Sequence, residues 1–362
     1  MGPCAIVIDP GSRRTLADRL KPFSGKYKLA VVSDENVSVL YREKISEILN
    51  EVIGSHDWII IPSGEKSKSV AEMEKICRKL VENRYGREDI LLAFGGGVVG
   101  DLTGFLASVY LRGVKWIVMP TTLMSQADAS IGGKVAVHFG GFKNVLGAFH
   151  QPYMVLIDPE FLLTLTTREF YSGLAEIMKM AILPGGENFH IWNAGMQEGI
   201  YKREPKALTA IIEDACRLKS SIVEKDECDH AGRMILNLGH TVGHSLESVT
   251  GFNRYTHGEA VCAGILFMCE LSHANGDMND DDFMRIRNLF APIAREIPMI
   301  EHSWDALSEA IDRDKKWRAS GLKWVYPLGI GRVAVREIQE GDIVDTWERF
   351  RSDFSRSFGR VK

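Results

Sequence analysis

The chain has no apolar run approaching the ~18 residues that a membrane-spanning helix needs, which excludes the integral helical membrane class on sequence grounds. It has no CxxC pair: Cys4, Cys77, Cys216, Cys228, Cys262 and Cys269 are scattered through 362 residues. Scattered cysteines behind an N-terminus with no basic segment before an apolar stretch read as reduced thiols in a cytoplasmic protein. Surplus charge is lacking too. A formal net charge of −4 gives no electrostatic case for nucleic acid, so basic residues matter here only as local clusters. Internal repeats and low-complexity linkers are absent.

What is there is a chain with 45% apolar residues, ample for a large core and long enough for two domains. The first half alternates β-branched runs with amphipathic segments. An N-terminal strand, Lys28–Val32, Trp58–Ile61, Leu91–Phe94, Trp116–Met119 and Met154–Ile157 read as strands, and 37–51 and 70–83 as helices. This alternation predicts an α/β N-terminal domain with a mostly parallel, Rossmann-like sheet covered on both faces. From Tyr171 the pattern is mainly α-helical, over 171–183, 205–227, 234–249, 257–275 and 282–292. Strand signals return at Trp324–Leu328 and Val333–Val335. The expected division is 1–170 and 171–362. The basic tail from Arg349 reads as a solvated helix end.

The densest chemistry lies between 90 and 150. Gly95, Gly97 and Gly100 satisfy GxGxxG after an apolar run. There the free N–H groups and dipole of a helix N-terminus attract phosphate. The ordinary dinucleotide fingerprint also needs an acidic residue ~20 positions on, yet Leu102 to Ala127 contains no Asp or Glu. Asp34, just past an early strand, can serve instead if that strand neighbours the glycine turn. The turn Ser63-Gly-Glu-Lys-Ser-Lys68 offers Glu65 and Lys68 for the same ligand. Polar residues at several strand ends suit ligands bound outside the carboxyl edge of a parallel sheet. Lys134 and Lys143 flank the region after Ile131-Gly-Gly133 and suit an anion.

The second half carries Glu176 in an apolar helical segment, three residues before Lys179. A carboxylate there needs a partner. His240 and His244, spaced i, i+4, share a helix face, and His257 opens the next apolar segment. Two imidazoles and a carboxylate make a familiar three-ligand zinc set with an open position. The spacing does not say which histidines bind.

The motifs GGGVVGD, YLRGV, PTTL, GGK, GLAEI, NLGHTVGHSLE and HGEAV occur in that order. With them the chain resembles the 3-dehydroquinate synthases, within the wider sugar-phosphate cyclase family. That resemblance implies a dehydroquinate synthase-like fold and NAD with Zn2+, or Co2+, as cofactors. The implied reaction converts 3-deoxy-D-arabino-heptulosonate 7-phosphate to 3-dehydroquinate and phosphate, in the shikimate pathway to aromatic amino acids. Hydride is lent to NAD, phosphate leaves, the hydride returns and an intramolecular aldol step closes the ring.

It implies Glu176, His240 and His257 as metal ligands, with His244 as the acid–base group. The implied NAD contacts are Asp34, Asn36, Ser63, Gly64, Glu65, Lys66, Lys68, Gly97, Val98, Val99, Gly100, Asp101, Thr121, Thr122, Lys134, Lys143, Phe161 and Thr164. Asp128, Lys134, Asn144, Lys179, Lys219, Arg233 and Asn237 would face the substrate, with Lys315 or Lys316 closing from the C-terminal region. Arg112 would reach the substrate of a second subunit, which implies a homodimer. The family's usual Thr-Gly-Ile-Asn after GGK is Val135-Ala-Val-His138 here, and Phe142 stands where a glycine often precedes the second lysine. These departures leave open a cyclase for another sugar phosphate. A metal-dependent polyol dehydrogenase and a non-catalytic dinucleotide sensor are the other readings. The lysine and arginine array speaks against the first, and the full ligand set against the second.

Overall fold

The computed structural model describes residues 4–11, 16–54, 56–185, 187–226, 232–315 and 323–358. The chain divides into two compact units, Met1–Leu165 with Gly199–Cys216, and Thr166–Glu198 with Arg217–Lys362.

The first unit runs β1 (Ala5–Ile8), α1 (Leu16–Leu20), β2 (Leu29–Asp34), α2 (Glu35–Val52), β3 (His56–Ile61), α3 (Val70–Glu82), β4 (Ile90–Gly95), α4 (Gly97–Val109), β5 (Lys115–Pro120), β6 (Lys134–Phe139), β7 (Phe142–Phe149) and β8 (Met154–Ile157). Six strands form one sheet in the order β1-β8-β5-β4-β2-β3, and all its ladders are parallel. Every residue of β4 is buried, as a strand covered on both faces requires, so its sequence is a continuous apolar run with no alternation. One face packs Leu92, Phe94, Ile117, Met119 and Leu156 against Tyr41, Ile45 and Leu49 of α2. Each such side chain contributes about 1.5–3 kcal/mol on burial. Asp34 caps α2 by accepting the Val37 N–H at 3.0 Å, and Ser69 caps α3 through Glu72 N–H at 3.2 Å.

The topology places the glycine turn. After β2 the chain crosses to the β3 edge, then returns to lay β4 on the opposite side of β2. Strand order therefore reverses between β2 and β4, which pair from Leu29↔Ile90 to Ser33↔Phe94. Ligands of open parallel sheets bind outside the strand ends at such a switch point. Asp34 does sit on the strand beside the glycine turn.

The β6–β7 hairpin stands apart from this sheet and was not foreseen from the sequence, whose alternation there is masked by polar and glycine residues. Gly140 and Gly141, at φ 60° and 84°, supply the two left-handed residues of its turn.

The second unit is mainly helical: α5 (Thr167–Ile182), α6 (Ala194–Tyr201, its last three residues in the first unit), α7 (Pro205–Lys225, entering from the first unit), α8 (His240–Val249), α9 (His257–Ala274), α10 (Asp280–Ala294), α11 (Trp304–Lys315), a β9 (Trp324–Gly329)–β10 (Arg332–Arg336) hairpin and α12 (Glu340–Ser357). Helix α9 packs on α5, α8, α10 and α12. It is apolar nearly all round because it is buried nearly all round.

Two expectations need correction. The helix read over 234–249 is a 3-10 segment, Gly232–Asn237, followed by α8. Gly239 separates them at φ 80°, where a Cβ would lie 2.8 Å from the Val261 carbonyl oxygen. The C-terminal segment is not a solvated helix end. Trp347, Phe350 and Phe354 of α12 are buried, with the Trp347 ring 5.1 Å from Phe267. Among the described residues no helix is long and apolar enough to cross a membrane.

Candidate cofactor and metal sites

In the first unit four adjacent strands, β5, β4, β2 and β3, end in the residues expected to hold a dinucleotide. At the end of β4, a Cβ on Gly95 would lie 2.6 Å from a Val99 methyl, and one on Gly96 would lie 2.9 Å from the Thr122 methyl. Those two glycines are required by packing. A Cβ on Gly97 would meet nothing nearer than 3.7 Å, and one on Gly100 nothing within 4 Å. The N-terminal turn of α4 is therefore open where a phosphate would approach its N–H groups. A small cavity beside it is lined by Gly97, Gly100, Asp101, Ser130, Gly133 and Lys134; Val98 is half-buried and Val99 is buried in the core.

Lys68, 5% exposed, donates to Asp101 Oδ2 at 2.5 Å, tying the turn after β3 to α4. At the end of β2, Asp34 Oδ1 accepts from Ser63 Oγ at 3.2 Å, and the Asn36 N–H donates to that hydroxyl at 3.3 Å. Asp34 is thus both a helix cap and a strand-end carboxylate. Gly64, Glu65 and Lys66 are exposed in the same turn. Thr121 is buried with its N–H on the Gly95 carbonyl at 2.9 Å, and Thr122 Oγ1 accepts from Ser125 N–H at 3.2 Å.

Phe161 departs from the expected cofactor edge. It is 1% exposed, its ring packed edge-on at 5.0 Å from Tyr41 and 5.5 Å from Phe94. Its ring is occupied by the core, and exposed Thr164, bonded to Tyr41 Oη at 2.7 Å, is what remains of that edge.

Of the first unit's substrate candidates, Asp128 lies half-buried on the wide helical turn Ser125–Ala129, a geometry often found at functional sites. Lys134 opens β6, and Lys143 and Asn144 begin β7. Leu111, Arg112 and Gly113 follow α4 with φ 49°, 70° and 117°. Two non-glycine residues in that region cost of order 1 kcal/mol each, and the turn leaves Arg112 exposed.

The second unit gathers the metal candidates. Glu176 is 1% exposed in the middle of α5, while His240 and His257 are the first residues of α8 and α9. Helix N-termini disfavour a positive imidazolium and so favour the neutral, ligating ring. His257 Nε2 lies 3.4 Å and His240 Nε2 3.7 Å from Glu176 Oε1. That oxygen is buried without a hydrogen-bond partner, an orphan that buried carboxylates do not ordinarily tolerate.

Each ring is held through its other nitrogen, Nδ1 of His240 by the Leu238 carbonyl at 3.2 Å and Nδ1 of His257 by Glu247 Oε2 at 3.2 Å. A proton on each Nδ1 leaves Nε2 as the ligating atom, the arrangement metal-binding histidines usually show. His244 completes a group in which the imidazole nitrogens lie within 4.8 Å of one another. It is exposed, with its ring 5.4 Å from His240 and 5.6 Å from His257. The donor set, its spacing and the orphaned oxygen fit a divalent cation of the zinc type.

Electrostatics agree. Burial by itself would raise the Glu176 carboxyl, but the Lys179 ammonium 2.5 Å away, then His240 and His257, hold it well below the usual carboxylate range. Burial, then Lys179, pushes His240 down to about 3. At His257 burial lowers, but the neighbouring Glu176 and Glu247 carboxylates outweigh it and push the ring up to about 10. A divalent cation, bound by the neutral ring, would take the place of the His257 Nε2 proton.

Lys179, Lys219 and Arg233 are 1%, 6% and 3% exposed. Cations held so far from water are costly unless anions meet them. Asn237 is exposed at the end of the 3-10 segment before α8. Lys315 ends α11, whereas Lys316 and Cys228 lie outside the described residues.

Sequence reasoning missed Glu247 and Ser172. Ser172 Oγ accepts the Gly258 N–H at 3.0 Å, and a Cβ on Gly258 would fall 1.9 Å from the Ser172 carbonyl oxygen. This close approach sets the start of α9 against α5. Glu247 lies i+7 from His240, on the same helix face, which was a usable signal.

Residues 58–172 match the family model of the 3-dehydroquinate synthase N-terminal region, and 173–317 that of its C-terminal region. A curated 3-dehydroquinate synthase from Thermodesulfovibrio yellowstonii is 38% identical over 93% of this chain and 94% of its own length. Among solved structures, the 2-epi-5-epi-valiolone synthase of Streptomyces hygroscopicus subsp. jinggangensis, with NAD+ and Zn2+ bound, is 25% identical. It aligns with a TM-score of 0.86 over 98% of both chains. A 2-deoxy-scyllo-inosose synthase holding carbaglucose-6-phosphate, NAD+ and Co2+ aligns at 0.84 and 20% identity over 96% of both chains, a likeness of fold.

Proposed function

Since the chain belongs to the 3-dehydroquinate synthase family, we propose that it converts 3-deoxy-D-arabino-heptulosonate 7-phosphate to 3-dehydroquinate and phosphate, as an NAD- and metal-dependent lyase. The observation that carries this reading is the orphaned Glu176 Oε1 between two imidazole nitrogens, in a unit that also buries three cations.

Glu176, His240 and His257 hold Zn2+, or Co2+. The strand-end residues Asp34, Glu65 and Lys68 and the open N-terminal turn of α4 hold NAD. When bound, the dinucleotide supplies a reversible hydride acceptor and the cation polarises the substrate's hydroxyls. Lys179, Lys219, Arg233 and Asn237 of the second unit orient the substrate's carboxylate and phosphate, Arg supplying a planar fork and Lys a point charge. Holding both ends of a flexible sugar phosphate replaces a large entropic part of the barrier with binding energy. His244 relays protons near neutral pH. The overall balance is one substrate to one carbocycle and one phosphate, with no net oxidation or reduction. Arg112, on its strained turn, serves a second copy's substrate in a homodimer, and the enzyme works in the cytoplasm.

The test is incubation with the heptulosonate phosphate, NAD and Zn2+. Phosphate release with 3-dehydroquinate as product and no accumulating absorbance at 340 nm is expected. Stoichiometric NADH would make it a net dehydrogenase, and a different carbocycle from another sugar phosphate would make it a sister cyclase.

A further inference from the structure

The β6–β7 hairpin is irregular where the candidate ligand contacts lie. Val137 pairs with Leu146 and Phe139 with Phe142, so His138 alone faces Lys143, Asn144 and Val145. This bulge holds Asn144 at φ 54°. The Asn144 N–H donates to His138 Nδ1 at 3.1 Å. An Nδ1 that accepts carries no proton, so the neutral ring bears its proton on Nε2, which donates to Glu65 Oε1 at 2.9 Å. The His138 backbone N–H also donates to the Lys68 carbonyl at 2.8 Å. One side chain therefore ties the turn after β3 to the bulge at the head of β7, and both of its nitrogens are committed.

We infer that His138 is a positioning residue for dinucleotide binding: as its Nε2–H tautomer it sets the Glu65 carboxylate and the Lys143–Asn144 bulge in register with each other. This rests on the reading that Glu65 and Lys143 contact NAD. The charged groups facing this junction are Glu65, Lys68 and Lys143, with Asp101 paired to Lys68.

The test is NAD affinity, by calorimetric titration of the full chain, for wild type, Glu65→Ala, His138→Ala and His138→Asn, with circular dichroism to check folding. The asparagine amide oxygen can accept from Asn144, but its side chain is too short to reach Glu65. Loss of one hydrogen bond in His138→Asn is expected to weaken binding by about 3-fold and loss of both in His138→Ala by about 10-fold. In turnover assays KM for NAD should rise with kcat at saturation unchanged. If Glu65→Ala weakens NAD binding while folded His138→Asn binds as wild type, the inference is overturned. If wild type fails to bind NAD, or Glu65→Ala leaves affinity unchanged, the reading of the cofactor site fails and this inference falls with it.

Discussion

Glu247 contacts His257 from seven residues beyond His240, and its carboxylate sets the imidazole's proton on the side away from Glu176. Partners of this kind orient a ligand and raise its basicity, and their loss typically weakens metal affinity about 10–100-fold. Glu247→Ala is therefore expected to weaken Zn2+ binding by that factor in a competition titration. Glu176→Ala removes a ligand and the counterion of buried Lys179, and should abolish stoichiometric zinc by elemental analysis. His244→Ala, altering an exposed ring, is expected to keep its metal and lose about 10²–10⁴-fold in turnover, the usual worth of an acid–base group. Zinc loss in His244→Ala would make it a ligand instead.

At the scale of elements, the metal cluster depends on how closely three helices approach. Gly258 touches Ser172, and a Cβ on Gly264 would lie 2.1 Å from the Gly239 carbonyl oxygen. Gly258→Ala must part α9 from α5 and move His257. A cost of about 3 kcal/mol or more is expected in denaturant melts, together with lost zinc binding. A weaker, pH-dependent tie joins β10 to the segment after α9. Arg336 donates to Asp277 Oδ2 at 2.5 Å and lies 3.5 Å from the Tyr326 ring centroid. Arg336, then the Tyr326 hydroxyl, hold the Asp277 carboxyl below its usual range against the effect of burial. A carboxyl lowered in the folded state contributes stability above its unfolded pKa and loses it as pH falls through the folded one. Asp277→Asn should thus cost less than about 1 kcal/mol at neutral pH, since the pair is partly exposed. The gap from wild type should close in acid melts.

For the whole molecule, a cation that binds only the folded chain raises its stability by mass action, by about 2.7 kcal/mol at a hundred-fold excess over Kd. Thermal melts with Zn2+ against chelator should therefore separate by several degrees, and Glu176→Ala should erase the separation.

The amino-acid sequence alone determined the α/β class, the parallel sheet and the helical second half. Continuous apolar runs and 3.6-residue periodicity are local consequences of burial, legible without coordinates. It also displayed Glu176, His240, His244 and His257, because charged residues in apolar segments are rare unless used. Tertiary structure decided the rest. The reversal of strand order between β2 and β4, which sets Asp34 beside the glycine turn sixty residues away, is a matter of topology that no local pattern encodes. The break at Gly239 and the core role of α12 depend on what packs against them. That Phe161 faces the core, and that His138 spans two loops, follows from non-local contacts, which form only when segments distant in the chain meet.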